Sequence, residues 1–138
     1  GIRDQGCLAL ADAKHLTGLT TLALIRQELT VTGVEALLRS PYLGAITHLE
    51  LGHNALGNES VEAILESPIA SQLTHLGLQM NLLIGEGGVR ALAEASADTL
   101  ASIEALDLSG LMRSVSAETS SLLRENLVEA RGCELRVK

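Results

Sequence analysis

The sequence predicts an α/β fold made by stacking one short unit, a strand followed by a helix, with the strands paired in parallel. Three observations predict it. Leu22, Leu49 and Leu76 recur at steps of 27, and Leu106 follows 30 residues later. Leu24, Leu51, Leu78 and Leu108 keep the same steps, as do Leu19, Ile46, Leu73 and Ile103. Self-similarity at such a period marks a chain built from stacked supersecondary units. Within each copy the apolar pattern changes from alternation to helical spacing. Finally, 46% of residues are hydrophobic, yet there is no Phe, no Trp and one Tyr. Aromatic rings fill thick cores, so their absence predicts a thin core of aliphatic layers.

The elements follow in order. Residues Ile2 to Leu16 align with Leu29 to Leu43 at a spacing of 27, so the chain begins halfway through a unit. Cys7 takes the inward position of Val34 there and is expected to be a buried thiol. Full copies then run from Leu19 to Ser40 (LTTLALIRQELTVTGVEALLRS), Ile46 to Ser67 and Leu73 to Ala95. A weaker copy runs from Ile103 to Glu125. In THLEL, alternation buries Leu49 and Leu51 and turns His48, Glu50 and Gly52 outward. Leu29, Leu56 and Leu83 are expected as the next buried layer. Gly33 and Ser60 precede helices with inner faces Val34, Leu37, Leu38 and Val61, Ile64, Leu65. Pro41 and Pro68 stand just past the helix ends, where proline stops continuation. The third copy carries an inserted residue near Ile84, because Val89 lags Val61 by 28. The tail predicts an amphipathic helix from about Ala117 to Ala130, a C-cap at Gly132 and a closing edge strand in CELRV.

The pattern LxxLxLxxNxL resembles the leucine-rich repeat; its LxxLxL part recurs in four in-register copies, and the resemblance covers nearly the whole chain. The following GVxALL segment is similar to the ribonuclease-inhibitor subfamily, in which a true helix follows each strand. The resemblance implies a right-handed solenoid, a horseshoe segment with a concave parallel sheet and convex helices. It implies one domain over 1–138: a half repeat (1–18), full repeats (19–45, 46–72, 73–102), a degenerate repeat (103–125) and an overlapping C-terminal cap (117–138). Asn54 and Asn81 match the family's structural ladder asparagine, whose amide can bond backbone groups of adjacent turns. Gln27 and Leu111 replace it in the first and last copies. Cytoplasmic and bacterial proteins are the usual hosts, and Arg supplies eight of the ten basic residues, as in GC-rich genomes. No N-terminal cap is visible. Either the domain is cut from a longer chain, or a partner covers its first layer. A monomer is expected, with association through the uncapped N-terminal end as the alternative.

The family implies non-catalytic protein binding through the concave face. Its exposed columns read Thr21, His48, His75, Ala105; then Ala23, Glu50, Gly77, Asp107; then Ile25, Gly52, Gln79, Ser109. Arg26, His53, Met80 and Gly110 stand at the strand exits. Met80 and Ile25 offer the best apolar contacts, and Glu50, His75 and Asp107 the best polar ones. The face lacks an aromatic anchor, which is unusual for a strong hot spot. The rival reading is a spacer or cap of a larger repeat protein with no partner of its own. A third uses His48 and His75, which sit on adjacent strands about 4.8 Å apart. With Glu50 they could take zinc or nickel, or respond to pH. The plainer account is a solvated strand histidine copied by duplication, and no metal or other cofactor is expected.

Other classes find little support. The net charge of −7 argues against nucleic acid and anionic membrane, each of which needs a basic stripe. No apolar run is long enough to span a bilayer, and no signal peptide is seen. Gly85 to Gly88 read GEGG without the Lys-Ser or Lys-Thr of a phosphate loop, so no enzyme is expected. Cys7 and Cys133 fall at opposite ends, too far apart for a disulfide. An intermolecular bridge through Cys133 stays open. Charges on the helices, such as Glu35, Arg39, Glu62 and Glu66, read as a solvated surface.

Overall fold

The computed structural model describes residues 1–95 and 97–138. Ser96, inside the expected third repeat, lies outside the described residues. The order is α1 (Arg3–Ala11), β1 (Thr21–Ala23), α2 (Val31–Leu38), β2 (His48–Glu50), α3 (Asn58–Glu66), β3 (His75–Gly77), α4 (Glu86–Glu94), β4 (Ala105–Asp107), α5 (Ala117–Leu123) and β5 (Glu134–Arg136). The strands form one parallel sheet in sequence order, β1 to β5. Repeating β-α units therefore build an α/β fold. Among the described residues, no helix is long and apolar enough to cross a membrane.

Each strand is only three residues long, and the middle leucines of β1 to β4, Leu22, Leu49, Leu76 and Leu106, are buried and stack in register, while Leu135 of β5 is partly buried. Leu24, Leu51, Leu78 and Leu108 form a second row behind them. Strands this short are unstable alone, so pairing with the next unit holds each one. Val34, Leu37, Val61, Ile64, Val89 and Leu92 close the core from the helix side, with Leu38 and Leu65 partly buried at its edge.

Asn54 and Asn81 knit the units together. Asn81 Nδ2 donates to the carbonyls of Leu51 and Leu78, at 2.9 and 3.0 Å. Its Oδ1 accepts from the N–H groups of Asn54 and Leu56. Asn54 repeats the arrangement one unit earlier, on Leu24 and Leu51 carbonyls and on Gln27 and Leu29 amides. Gln27 keeps part of the role: its Oε1 accepts from Ile2 N–H and its Nε2 donates to Ile25 O.

A second ladder runs along the helix starts and is absent from the leucine pattern. Asp4 accepts from Thr30 N–H and the Thr30 hydroxyl. Asn58 Oδ1 accepts from Gly85 and Gly88 N–H, both at 2.9 Å. Glu86 accepts from Ser116 N–H, the Ser116 hydroxyl and the Thr119 hydroxyl. Each polar side chain at the first turn of one helix thus satisfies free amides at the start of the next. Those three bonds hold the Glu86 carboxyl below its ordinary range, with the Thr119 hydroxyl contributing most.

Four expectations need correction. Gly33 and Ser60 do not precede their helices but lie buried inside the first turn. A Cβ at Gly33 would overlap Asp4 Oδ1, so the reaching side chain requires the glycine. Leu83 is not a core residue: it is 68% exposed, while Ile84 is 2% exposed. The inserted residue shifts the inward position by one. The tail helix is α-helical only to Leu123 and then winds more widely, as a π-helix, over Arg124–Glu129. The wide turn buries Leu123 and Leu127. It also lets Asn126 donate to Ala93 O, while Arg131 donates to Leu100 O and Ala95 O. Gly132 follows at φ +69, the left-handed conformation that suits a cap glycine. Finally, Cys133 is 2% exposed, which removes the intermolecular bridge. Both thiols are free; burial, with Asp4 nearby, pushes Cys7 up to about 11, and burial raises Cys133 as well.

Candidate functional site

The sheet has two unlike faces. The leucines turn toward the helices, so the alternate residues of every strand fall on the open face. A hollow of about 400 Å³ occupies that face. Thr21, His48, Glu50, His75 and Asp107 line it together with Gly77, Ala105, Glu134 and Arg136. Five of the expected binding residues therefore meet there. Ala23, Ile25, His53, Gln79 and Met80 do not line it. Ile25 and Met80 flank it as exposed apolar side chains, at 39% and 38%.

His48 and His75 pair directly across β2 and β3. Their rings stack with centroids 4.1 Å apart and planes 11° apart. A threonine precedes each histidine and holds its ring. Thr74 Oγ1 lies 2.9 Å from His75 Nδ1, and Thr47 Oγ1 lies 3.0 Å from His48 Nδ1. The Thr74 hydroxyl donates its proton to Thr47 O at 3.1 Å. Stacked rings do not converge on a point. Among the described residues, no three His, Cys, Asp or Glu side chains gather as metal ligands, so the two-histidine, one-carboxylate arrangement is not formed.

Glycine shapes the centre of the face. The Glu50 carboxylate lies across β3 over Gly77, where any Cβ would overlap its Oε1. This brings it toward Asp107, the register partner of Gly77 on β4. Burial, then the charge of Asp107, raises the Glu50 carboxyl above its ordinary range; Gln79 and Arg136 act in the opposite direction more weakly. Asp107 is held by the backbone N–H and hydroxyl of Ser109, at 3.0 and 2.6 Å. Gln79 lies over Gly52 in the same manner. Glu50 Oε1 and Gln79 Oε1 are enclosed, and neither has a hydrogen-bond donor among the described residues.

Two lining residues escaped the sequence reading. Glu134 pairs with Ala105 and Arg136 with Asp107 across β4 and β5, so both continue the outward columns. The sequence does carry the signal: CELRV reads as a strand, and its alternation turns Glu134 and Arg136 outward. The backbone of the strand exits gave no such signal. Arg26, His53 and Met80 all hold φ near +57, with Gly110 at +83. Only the last is a glycine, the residue that betrays left-handed backbone in a sequence. At Gly110 the left-handed backbone favours glycine, and Met80 Sδ lies where a Cβ would fall.

A smaller hollow of about 220 Å³ lies on the helix side, lined by Glu35, Leu38, Arg39, Ala63, Glu66, Ser67 and Pro68. No protein-family model matches the chain, and comparison with curated proteins finds no match.

Proposed function

We propose that the chain is a leucine-rich repeat domain of the ribonuclease-inhibitor type, a right-handed solenoid whose concave sheet face binds a partner protein without catalysis. The observation that carries this reading is the hollow over β1 to β5, lined by polar side chains and left open among the described residues. The asparagine ladder and the recurring strand-helix unit support the family assignment. Ile25 and Met80 would supply the apolar rim. A spacer reading draws on the opposite feature. Among the described residues β1 pairs with β2 alone, and Leu8 and Ile2 on or beside α1 are 51% and 39% exposed, which would suit a further repeat.

The test is capture from a lysate with three baits: the unaltered chain, a His75→Arg, Asp107→Arg double variant, and a helix-face variant, Glu62→Arg. A partner retained by the first and third but lost by the second supports the concave face. Loss only with Glu62→Arg moves the interface to the helices. Equal recovery by all three favours the spacer.

A further inference from the structure

We propose that the hollow receives an arginine side chain of the partner, its guanidinium engaging the carboxylates of Glu50 and Asp107; this rests on the binding-face reading above. The face has acceptors in excess of donors. Among the described residues, Glu50 Oε1 and Gln79 Oε1 are enclosed without a donor, and an enclosed acceptor left unpaired costs stability. The Nε2 atoms of His48 and His75 have no bonding partner among the described residues. Charge runs the same way. Glu50, Asp107 and Glu134 line the hollow against the single guanidinium of Arg136, which sits 3.6 Å from Glu134.

The arrangement is also costly. Gly77 permits Glu50 to lie toward Asp107, and two like charges in a partly desolvated hollow oppose one another. A cation from outside reverses that cost. An acidic partner would worsen it. A divalent ion lacks a converging set of ligands among the described residues. Guanidinium suits the site better than ammonium because its planar fork offers five donors to acceptors spread over neighbouring strands, whereas an ammonium is a compact point charge. The volume lies at the lower end of the range of about 300–1,000 Å³ typical of small-ligand sites, enough for one side chain.

The probe is the peptide acetyl-Gly-Arg-Gly-amide, titrated into the isotope-labelled chain and followed by NMR. Its citrulline counterpart, equal in shape but uncharged, is the control. The expected result is saturable shifts confined to His48, Glu50, His75 and Asp107, with citrulline at least about tenfold weaker. Glu50→Gln should weaken arginine binding by about tenfold. Gly77→Ala should do the same by displacing the carboxylate, and circular dichroism of both variants controls for folding. Equal binding of citrulline, shifts scattered over the helix faces, or indifference to both substitutions would overturn the proposal. Selection from a random peptide library separates the two readings. Arginine-free peptides that map to the hollow sink the arginine proposal and leave the binding face standing, whereas peptides that map to the helices sink both.

Discussion

Asn81 Oδ1 accepts the backbone N–H of Asn54 at 3.1 Å, and Asn54 Oδ1 in turn accepts that of Gln27 at 2.9 Å. Each amide thus carries the register of one unit into the one before it. Asn81 is fully buried, whereas Asn54 is partly exposed. Asn81→Ala strands the Leu78 carbonyl and the amides of Asn54 and Leu56, while the Leu51 carbonyl keeps its bond from Asn54 Nδ2, at about 1–3 kcal/mol for each group water cannot reach. We expect a loss of about 3–5 kcal/mol by urea denaturation, a large share of the roughly 5–15 kcal/mol typical of a domain. Asn54→Ala should cost about half as much, since water can enter. Equal, small losses would refute the ladder.

The inserted residue of the third unit makes a sharp contrast between neighbours. Ile84→Ala should cost about 2–5 kcal/mol, because it empties a buried site. Leu83→Gln should stay within about 0.5 kcal/mol, because its side chain stands in solvent. Thermal melting of the two variants checks the register directly, and a reversed order would restore Leu83 to the core.

Glu50 gives stability a distinctive pH dependence. Its folded pKa is raised above the ordinary 4.5 by burial and by Asp107, against the weaker pull of Gln79 and Arg136. The folded state then binds the proton more tightly than the unfolded one. Its contribution is full below the ordinary value and is lost as pH rises through the raised folded value. Glu50→Gln should therefore be the more stable protein at neutral pH, and the difference should vanish in acid. A variant less stable than the parent at pH 7 would show that the carboxylate is stabilising. A residue that weakens the resting fold fits a site shaped for a ligand.

Glu86 predicts the opposite slope. Its carboxyl is lowered by the Thr119 and Ser116 bonds, so its contribution is present above the ordinary carboxylate value and lost as pH falls through the lowered one. Glu86→Gln should flatten the acid side of the stability profile. Melting curves collected across the acid range decide it, and an unchanged slope would show that these bonds carry no charge-dependent stability.

The C-terminal segment covers the last leucine layer. Arg131 and Asn126 together bond the carbonyls of Ala93, Ala95 and Leu100, while Leu123 and Leu127 are fully buried. Deleting residues 117–138 should lower the melting temperature by at least about 10 °C or cause aggregation, because neighbouring units stabilise one another. Size-exclusion chromatography and melting would show it. A monomeric, equally stable truncation would mean that the segment is no cap.

Much of the fold could be read before any coordinates. The leucine steps placed β1 to β4, and equal unit length put His48 beside His75. The same alignment located Asn54, Asn81 and the buried Cys7. Half of the hollow was legible for that reason. Glu134 and Arg136 lie outside the leucine steps, because β5 closes the cap, and only the alternation of CELRV marks them. The left-handed strand exits left no trace, since Arg26, His53 and Met80 carry side chains that normally avoid that backbone.

What the sequence determined by itself is the repeating unit, its period and the buried face of each strand. Period-two alternation allows only one orientation that hides the leucines, and units of nearly equal length stack in register. Tertiary structure alone decided which polar groups meet between units. Asp4 reaches Thr30, Asn58 reaches Gly88, and Glu86 reaches Thr119, across 26, 30 and 33 residues of chain. Glu50 crosses Gly77 toward Asp107, and Ile84 rather than Leu83 turns inward. No local preference specifies such pairs. They follow from the spacing of packed helices and strands, which lets one side chain reach the next unit where a glycine or hydroxyl leaves room.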